Sequence, residues 1–259
     1  MNERLTPAAL HNREAWDARS DGYQAEHAAQ LQKSGGTAWG VWQLPESELQ
    51  VLGDVAERDV LELGCGAAQW SIALHHRGAR VTGLDISARQ LDHARELMRA
   101  AGVEFPLVLS SAETLPFADG SFDIVFCDWG AMSFADPLLA VPEVGRVLRP
   151  GGLLAFCTGT PIVDLTWPLE GDEPTDRLLH DYWSLHELRE PGEPVLFQLP
   201  YGSWIELFRD CGLVVESLIE LRPPPDAQSS YRTEVAREWA RRWPMENIWR
   251  VRKPDPGAG

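Results

Sequence analysis

Glu62, Gly64, Gly66 and Asp85 are the residues whose types and spacing could do chemistry. Glu62 lies near the end of an apolar run, and the two glycines follow it in "VLELGCGAAQW", residues 60–70. Asp85 lies near the end of a second apolar run, "ARVTGLDI". Glycine lets a backbone turn tightly and come close to a bound group. A strand that feeds a helix through such a turn offers backbone N–H groups to a ligand at the carboxyl edge of a sheet. A carboxylate ending the next strand can accept bonds from both hydroxyls of a ribose. An acid two residues ahead of the first glycine would repel a pyrophosphate and suit an ammonium or a sulfonium. The G-x-G-x-x-G pattern of dinucleotide loops wants a third glycine where Gln69 stands.

The elements that must hold these residues alternate regularly. Strands are expected over 59–63, 79–86, 105–111, 121–129 and 152–159. Helices are expected over 67–77, 87–102 and 136–149. Ser87 is placed to cap the second helix and Gly102 to end it. The strands are nearly continuous apolar runs, as a parallel sheet covered on both faces requires. Residues 1–57 read as a mostly helical segment interrupted by "KSGGTAWGVWQLPE". After residue 160 the rhythm breaks. Residues 161–200 read as an insertion over the carboxyl ends of the strands, with one helix around "DRLLHDYWSLHEL". A helix at 202–212 and strands at 213–221 and 247–253 complete the chain, the last two as an antiparallel edge pair. The expected architecture is an α/β, Rossmann-like, doubly wound sheet of seven strands, mostly parallel with an antiparallel C-terminal strand. It comprises an N-terminal lid over 1–57 and a domain over 58–259 that contains the insertion.

Bulk properties exclude some classes. A formal charge of −16 over 259 residues argues against nucleic acid and against anionic membrane surfaces. No window carries the roughly 18 apolar residues of a membrane span, and the opening "MNERLTPAALHNREAW" has no signal-peptide core. A cytoplasmic protein is expected. The cysteines, Cys65, Cys127, Cys157 and Cys211, form no C-x-x-C pair, so neither a disulfide framework nor a metal site is expected. Eleven tryptophans are many for this length. They serve either as a thick packing shell or as the lining of an organic-substrate pocket. "EVAREWARRW" reads as a solvated helix face first and a homodimer contact second.

NAD and S-adenosylmethionine both carry a ribose, so Asp85 alone does not choose between them. "VLELGCGAAQW", "VTGLDIS", "SSAETLPFADGSFDIVFCDW" and "RVLRPGGLLAF" together resemble the successive motifs of the class I S-adenosylmethionine-dependent methyltransferases. The likeness is to the small-molecule type with an "LPF-x-D-x-SFD" signature, and it covers residues 58–158. The resemblance implies S-adenosylmethionine as cofactor. Glu62, Gly64, Cys65 (by its backbone) and Gly66 would line the methionine part. Asp85 would take the ribose and Ile86 would lie against the adenine. Ala112 and Glu113 would sit at the adenine edge, with Ser111 standing where many members have an aspartate. Asp128 and Trp129, at the end of the fourth strand, would face the methionine part and the acceptor.

The resemblance also implies direct SN2 transfer of a methyl group to a small molecule, with O-methylation ahead of N- or C-methylation. The acidic, Trp-rich character suggests a neutral, cationic or aromatic acceptor. A base is needed only if the acceptor must lose a proton. His180 and His186 are the candidates, ahead of His27, because histidine titrates near neutrality. His180, Trp183 and Glu187 would share one face of the insertion helix, with Tyr182 one turn before His186, presenting His, Tyr and Trp toward the cofactor. Tyr23, Trp39 and Trp42 are candidate lid residues. The alternatives are an NAD-dependent oxidoreductase, which lacks its third glycine and a Tyr-x-x-x-Lys set here, and a non-catalytic S-adenosylmethionine-binding protein.

Overall fold

The apolar runs on either side of the Gly-Cys-Gly turn form the middle of a seven-stranded sheet in the computed structural model. The structure describes residues 5–168, 171, 173–189 and 192–257. The strands are β1 (Asp59–Leu63), β2 (Arg80–Asp85), β3 (Leu107–Leu109), β4 (Phe122–Asp128), β5 (Leu148–Gly159), β6 (Val214–Leu221) and β7 (Glu246–Arg252). Their order across the sheet is β6-β7-β5-β4-β1-β2-β3. β7 is antiparallel to both β6 and β5, and the remaining pairs are parallel. The chain leaves β1 toward β2 and β3, then returns to the other side of β1 as β4. That reversal opens a crevice beyond the carboxyl ends of β1 and β4.

The principal helices are α1 (Pro7–Leu31), α2 (Gln69–His76), α3 (Ala88–Ala101), α4 (Pro137–Val147), α5 (Tyr201–Asp210) and α6 (Glu234–Ala240). Alternation along β1 sends Leu61 and Leu63 to one core and Val60 to the other. The first core packs Phe156, Trp204, Phe208 and Trp249 beneath α4 and α5. The second packs Phe126, Trp70, Leu74 and Leu91 beneath α2 and α3. Helix ends follow local chemistry. The Ser87 hydroxyl accepts from Gln90 N at 3.1 Å, and Gly102 closes α3 in the left-handed conformation. The same hydroxyl donates to Asp17 of α1 at 2.7 Å. Ser87→Ala is expected to cost about 1 kcal/mol, read as a lower urea midpoint. A loss confined to binding would show that this cap does not support the fold.

Two parts of the chain differ from expectation. The stretch around "DRLLHDYWSLHEL" is not a helix. It contains a single 3-10 turn, Tyr182–Ser184, followed by Glu187–Leu188, which pairs antiparallel with Leu196–Phe197. Its backbone is bonded elsewhere: Thr175 N donates to Thr166 O and Leu179 N to Leu165 O. Those carbonyls belong to the short helix Pro161–Thr166. His180, Trp183 and Glu187 therefore share no helix face. The loop within residues 1–57 also has structure, a hairpin of Ala38–Trp39 against Leu44–Pro45.

Candidate functional site

The turn after β1 is tied to the end of β2, where Gly64 N and Cys65 N both donate to Leu84 O at 2.7 and 2.9 Å. Gly64, at φ +70°, lies against another stretch of backbone: a Cβ there would fall 2.3 Å from Ala131 N. Gly66, at φ +53°, faces open space, with nothing nearer to a Cβ than Gln90 Oε1 at 3.7 Å. The first glycine thus lets two loops meet and the second leaves room in the cleft. Ala68, also left-handed, leads into α2, whose first residue is Gln69. The Gln69 amide donates to Gln24 of α1 at 3.3 Å, so the place of a third glycine is used to hold α1.

The carboxylates of Glu62, Asp85 and Asp128 converge on this cleft. Glu62 accepts from Ser71 N at 3.0 Å and, through a short bond, from the Ser71 hydroxyl. Asp85 accepts from Gly66 N and Ser87 N, both at 2.8 Å. Asp128 accepts from Gly40 N at 2.9 Å. Burial, reinforced by their neighbours' negative charge, raises all three: Glu62 to about 8, Asp128 to about 7 and Asp85 to about 6. A cleft that holds three carboxylates at this cost favours a ligand carrying positive charge.

Glu62, Gly64, Cys65, Gly66, Asp85, Ile86, Ala112, Glu113, Asp128 and Trp129 all line one cleft of about 930 Å³. Ser111 lines it as well, and its hydroxyl accepts from Glu113 N at 3.1 Å. The Glu113 carboxylate accepts from the Thr6 hydroxyl at 2.7 Å and Asp136 N at 3.1 Å, which fixes the start of α1. Trp16, Gln24, Trp70, Gln90 and Phe134 complete the walls. Sequence reasoning missed these, because each reaches the cleft through α1 or a strand-to-helix crossing with no local motif.

A second cavity, of about 1990 Å³, lies alongside and shares Trp16, Tyr23, Asp128, Trp129 and Phe134 with the first. Trp129 stands between the two in a left-handed conformation, φ +52°. Its indole N–H donates to Glu246, a fully buried acid at the start of β7 that also accepts from Val41 N at 2.8 Å. Sequence reasoning missed Glu246 too, since nothing in "PMENIW" distinguishes an anchor from a strand edge.

The acceptor-side expectations fare unevenly. Tyr23 lines both spaces, and its hydroxyl meets that of Tyr231 at 2.9 Å. His180 lines the second cavity with Nε2 donating to Trp167 O at 2.6 Å. His186 lines neither; it bonds Asp136 at 3.1 Å. Tyr182 uses its hydroxyl to accept from Tyr201 N at 3.0 Å. Trp183 is 83 % exposed, because the helix that was to turn it inward does not form. Trp39 is fully buried against Trp70 and Phe126, its indole N–H donating to Glu46 at 2.6 Å. Trp42 is buried with Val163, Trp239 and Met245. Neither Trp39 nor Trp42 lines the cleft or the cavity. His27 stacks on Tyr231 and bonds Ser230 at 2.8 Å.

With this geometry in hand, comparison with known proteins gives a consistent class. Residues 61–156 match the family described as a methyltransferase domain, and the fold is that of solved S-adenosylmethionine-dependent methyltransferases such as one from Mesorhizobium loti, at 24% identity with a TM-score of 0.64 over 80% of this chain and 95% of that one. An uncharacterized methyltransferase of Mycobacterium tuberculosis is 35% identical over 142 residues, covering 52% of this chain and 56% of that protein. A demethylmenaquinone methyltransferase of Staphylococcus haemolyticus is 41% identical over 97 residues, 36% of this chain and 40% of that protein. The chain thus spans about half the length of the curated relatives it matches. In fold it is similar to the geranyl diphosphate C-methyltransferase of Streptomyces coelicolor, at 17% identity with a TM-score of 0.67 over 96% of this chain and 98% of that one. No helix among the described residues is long and apolar enough to cross a membrane.

Proposed function

We propose that this protein methylates a small organic acceptor held in the second cavity, using S-adenosylmethionine held in the first cleft. The observation that carries the reading is the junction of the two spaces at Asp128, Trp129 and Phe134, with Glu62 and Asp85 lining the first space alone and Asp128 at the junction. The residues fit the cofactor. Gly66 leaves open space, Asp85 is positioned to accept from hydroxyls, and Glu62 and Asp128 suit an ammonium and a sulfonium. S-adenosylmethionine, when bound, supplies a methyl group already activated for displacement.

The protein's own contribution is then alignment and exclusion of water. α1 roofs the cleft through Gln24, which donates to Gln90 at 2.9 Å, and through Ser87 and Asp17. O-methylation is the preferred outcome, ahead of N- or C-methylation, because a base is at hand for a hydroxyl. A carbonyl cannot donate, so His180 Nε2 carries a proton toward Trp167 O, and Nδ1 is the nitrogen left to take a proton from the acceptor.

The test uses methyl-labelled S-adenosylmethionine, the purified protein and a metabolite extract of the source cells. Label recovered in a small molecule is the expected result, and the mass of that compound leads to the acceptor. Label in protein or RNA would retain methyl transfer and overturn the acceptor class. Bound S-adenosylhomocysteine with no transfer to any fraction would favour a non-catalytic binding protein. Binding of NAD in preference to S-adenosylhomocysteine would overturn the reading altogether.

A further inference from the structure

We infer that the acceptor is an amphipathic acid, whose carboxylate or phosphate is held by Arg232 while its apolar body fills the second cavity. The inference deepens the methyl-transfer reading and rests on it. Arg232 lines that cavity, in the segment that joins Tyr231 to the cap of α6. Its guanidinium lies between two indoles, 5.1 Å from the Trp167 ring and 5.9 Å from the Trp129 ring. One terminal N–H donates to the carbonyl of Tyr231 at 2.9 Å, while Nε is shut off from solvent and has no hydrogen-bond partner.

Arg232 differs from the other arginines of the cavity wall. Arg19 is paired with Glu193 at 2.6 Å and Arg189 with Glu187. Glu246, Asp164 and Glu173 help to keep Arg232 charged, but burial outweighs them and lowers its basicity. Glu246 holds Trp129 and Val41 through Oε1 and leaves Oε2 without a hydrogen-bond partner, and Asp164 accepts from Gln198 at 2.9 Å. A buried donor without a partner carries a desolvation cost that a bound acceptor removes. A guanidinium presents parallel N–H bonds suited to the two oxygens of a carboxylate or phosphate. The guanidinium carbon lies over both the Trp129 and Trp167 rings, a cation–π arrangement that restrains the side chain.

The rest of the wall sets the remainder of the molecule. Phe134, Phe197, Leu188, Leu196, Trp167 and Met245 supply an apolar lining. The cavity, about 1990 Å³, is larger than the cofactor cleft and has room for a bulky body. The whole-chain charge of −16 pointed to a neutral or cationic acceptor. Locally the wall is mixed: Asp128, Asp164, Glu187 and Glu193 line the cavity beside Arg19, Arg189 and Arg232, and of these arginines Arg232 is the one set against two indoles.

The test compares three probes of one shape: 4-phenylbutyrate, the phosphate monoester of 3-phenylpropanol, and the neutral 4-phenylbutyramide. Each is titrated into the full chain loaded with S-adenosylhomocysteine, following tryptophan fluorescence. The expected result is that one or both anions bind about tenfold tighter than the amide, and the tighter anion identifies carboxylate or phosphate. Arg232→Gln should bring anion and amide within about twofold, and Arg232→Lys, which keeps the charge without the fork, should fall between. S-adenosylhomocysteine affinity should stay within about twofold in both variants, reporting an intact fold. Trp167→Leu serves as a second variant and should shrink the preference by loosening the stack. An amide that binds the wild type as well as the anions, no binding by any probe, or a preference that survives Arg232→Gln overturns the assignment. If the wild type fails to bind S-adenosylhomocysteine, the methyl-transfer reading falls by itself, and the same comparison on the cofactor-free protein still decides the anion site.

Discussion

Gly64→Ala is expected to remove about 2–5 kcal/mol of stability, a large share of the roughly 5–15 kcal/mol of a typical domain, read as a much lower urea midpoint. Two costs fall together. An L side chain at φ +70° loses about 1–2 kcal/mol on conformation alone. The new Cβ would also stand 2.3 Å from Ala131 N and 2.9 Å from Gly130 C and Cα. Those are backbone atoms of the loop after β4, so no rotamer change relieves the contact, and overpacking of this kind costs about 1–3 kcal/mol or more. Gly66→Ala is the control. It shares the left-handed backbone, but its Cβ meets nothing nearer than 3.7 Å, so it should lose only about 1–2 kcal/mol of stability. Its added methyl enters the cleft, so its larger effect should be on S-adenosylhomocysteine affinity. Urea titrations followed by tryptophan fluorescence, with a cofactor titration on whichever variant folds, separate the two. Equal stability for the two variants would contradict the division of labour drawn between the glycines.

That division shows what the sequence could and could not carry. The Gly-Cys-Gly turn, the caps at Ser87 and Gly102 and the apolar strands are local signals. Each is decided within a few residues, and each lies where its spacing put it. The convergence of Glu62, Asp85 and Asp128 on one cleft was legible because they sit at strand ends, where topology alone brings them together. The partner of Gly64 was not legible, since it comes from a loop more than sixty residues on.

The insertion failed for a different reason. Leu178, Leu179, Tyr182, Trp183 and Leu185 have a spacing that suits a helix, but Leu179 N donates to Leu165 O, and Ser184 N and Leu185 N donate only three residues back, to Asp181 O and Tyr182 O. Leu178 and Trp183 are left exposed as a result. The tryptophans pose the same ambiguity in another form. Trp39 closes a core and Trp129 divides two cavities, and only tertiary placement distinguishes them. Arg232 sits in "SSYRTE", a stretch with no periodicity, so its position between Trp129 and Trp167 has no counterpart in local sequence.

The second large effect concerns charge in the cofactor cleft. Glu62→Gln should stabilise the ligand-free protein at pH 8 by about 1–3 kcal/mol while weakening S-adenosylmethionine binding by tenfold or more, by about 1.4 kcal/mol per tenfold. The sign follows from the raised carboxylates. In the folded, ligand-free protein Glu62 titrates near 8, Asp128 near 7 and Asp85 near 6, whereas in the unfolded chain all three titrate near their ordinary values. The folded state therefore binds more protons between about pH 4 and pH 8. Its stability from these groups is fully present below the unfolded values and declines as pH rises through the folded ones. Because the three share one cleft, they lose protons as a set. Glutamine keeps an oxygen for Ser71 N and the Ser71 hydroxyl and abolishes the charge. A cationic ligand reverses the balance. It favours the ionised carboxylates, so its binding should release protons, and its affinity should rise from pH 6 to pH 8. Calorimetry in buffers of different ionisation enthalpy counts those protons. Thermal melts at pH 5, 6, 7 and 8, with and without ligand, follow the stability. Affinity that is flat with pH, or unchanged in Glu62→Gln, would mean that the buried acids do not serve a positively charged ligand. The cleft would then have to bind its nucleoside through Asp85 and the glycine turn alone, and the case for a sulfonium cofactor would rest on the domain match without the electrostatics.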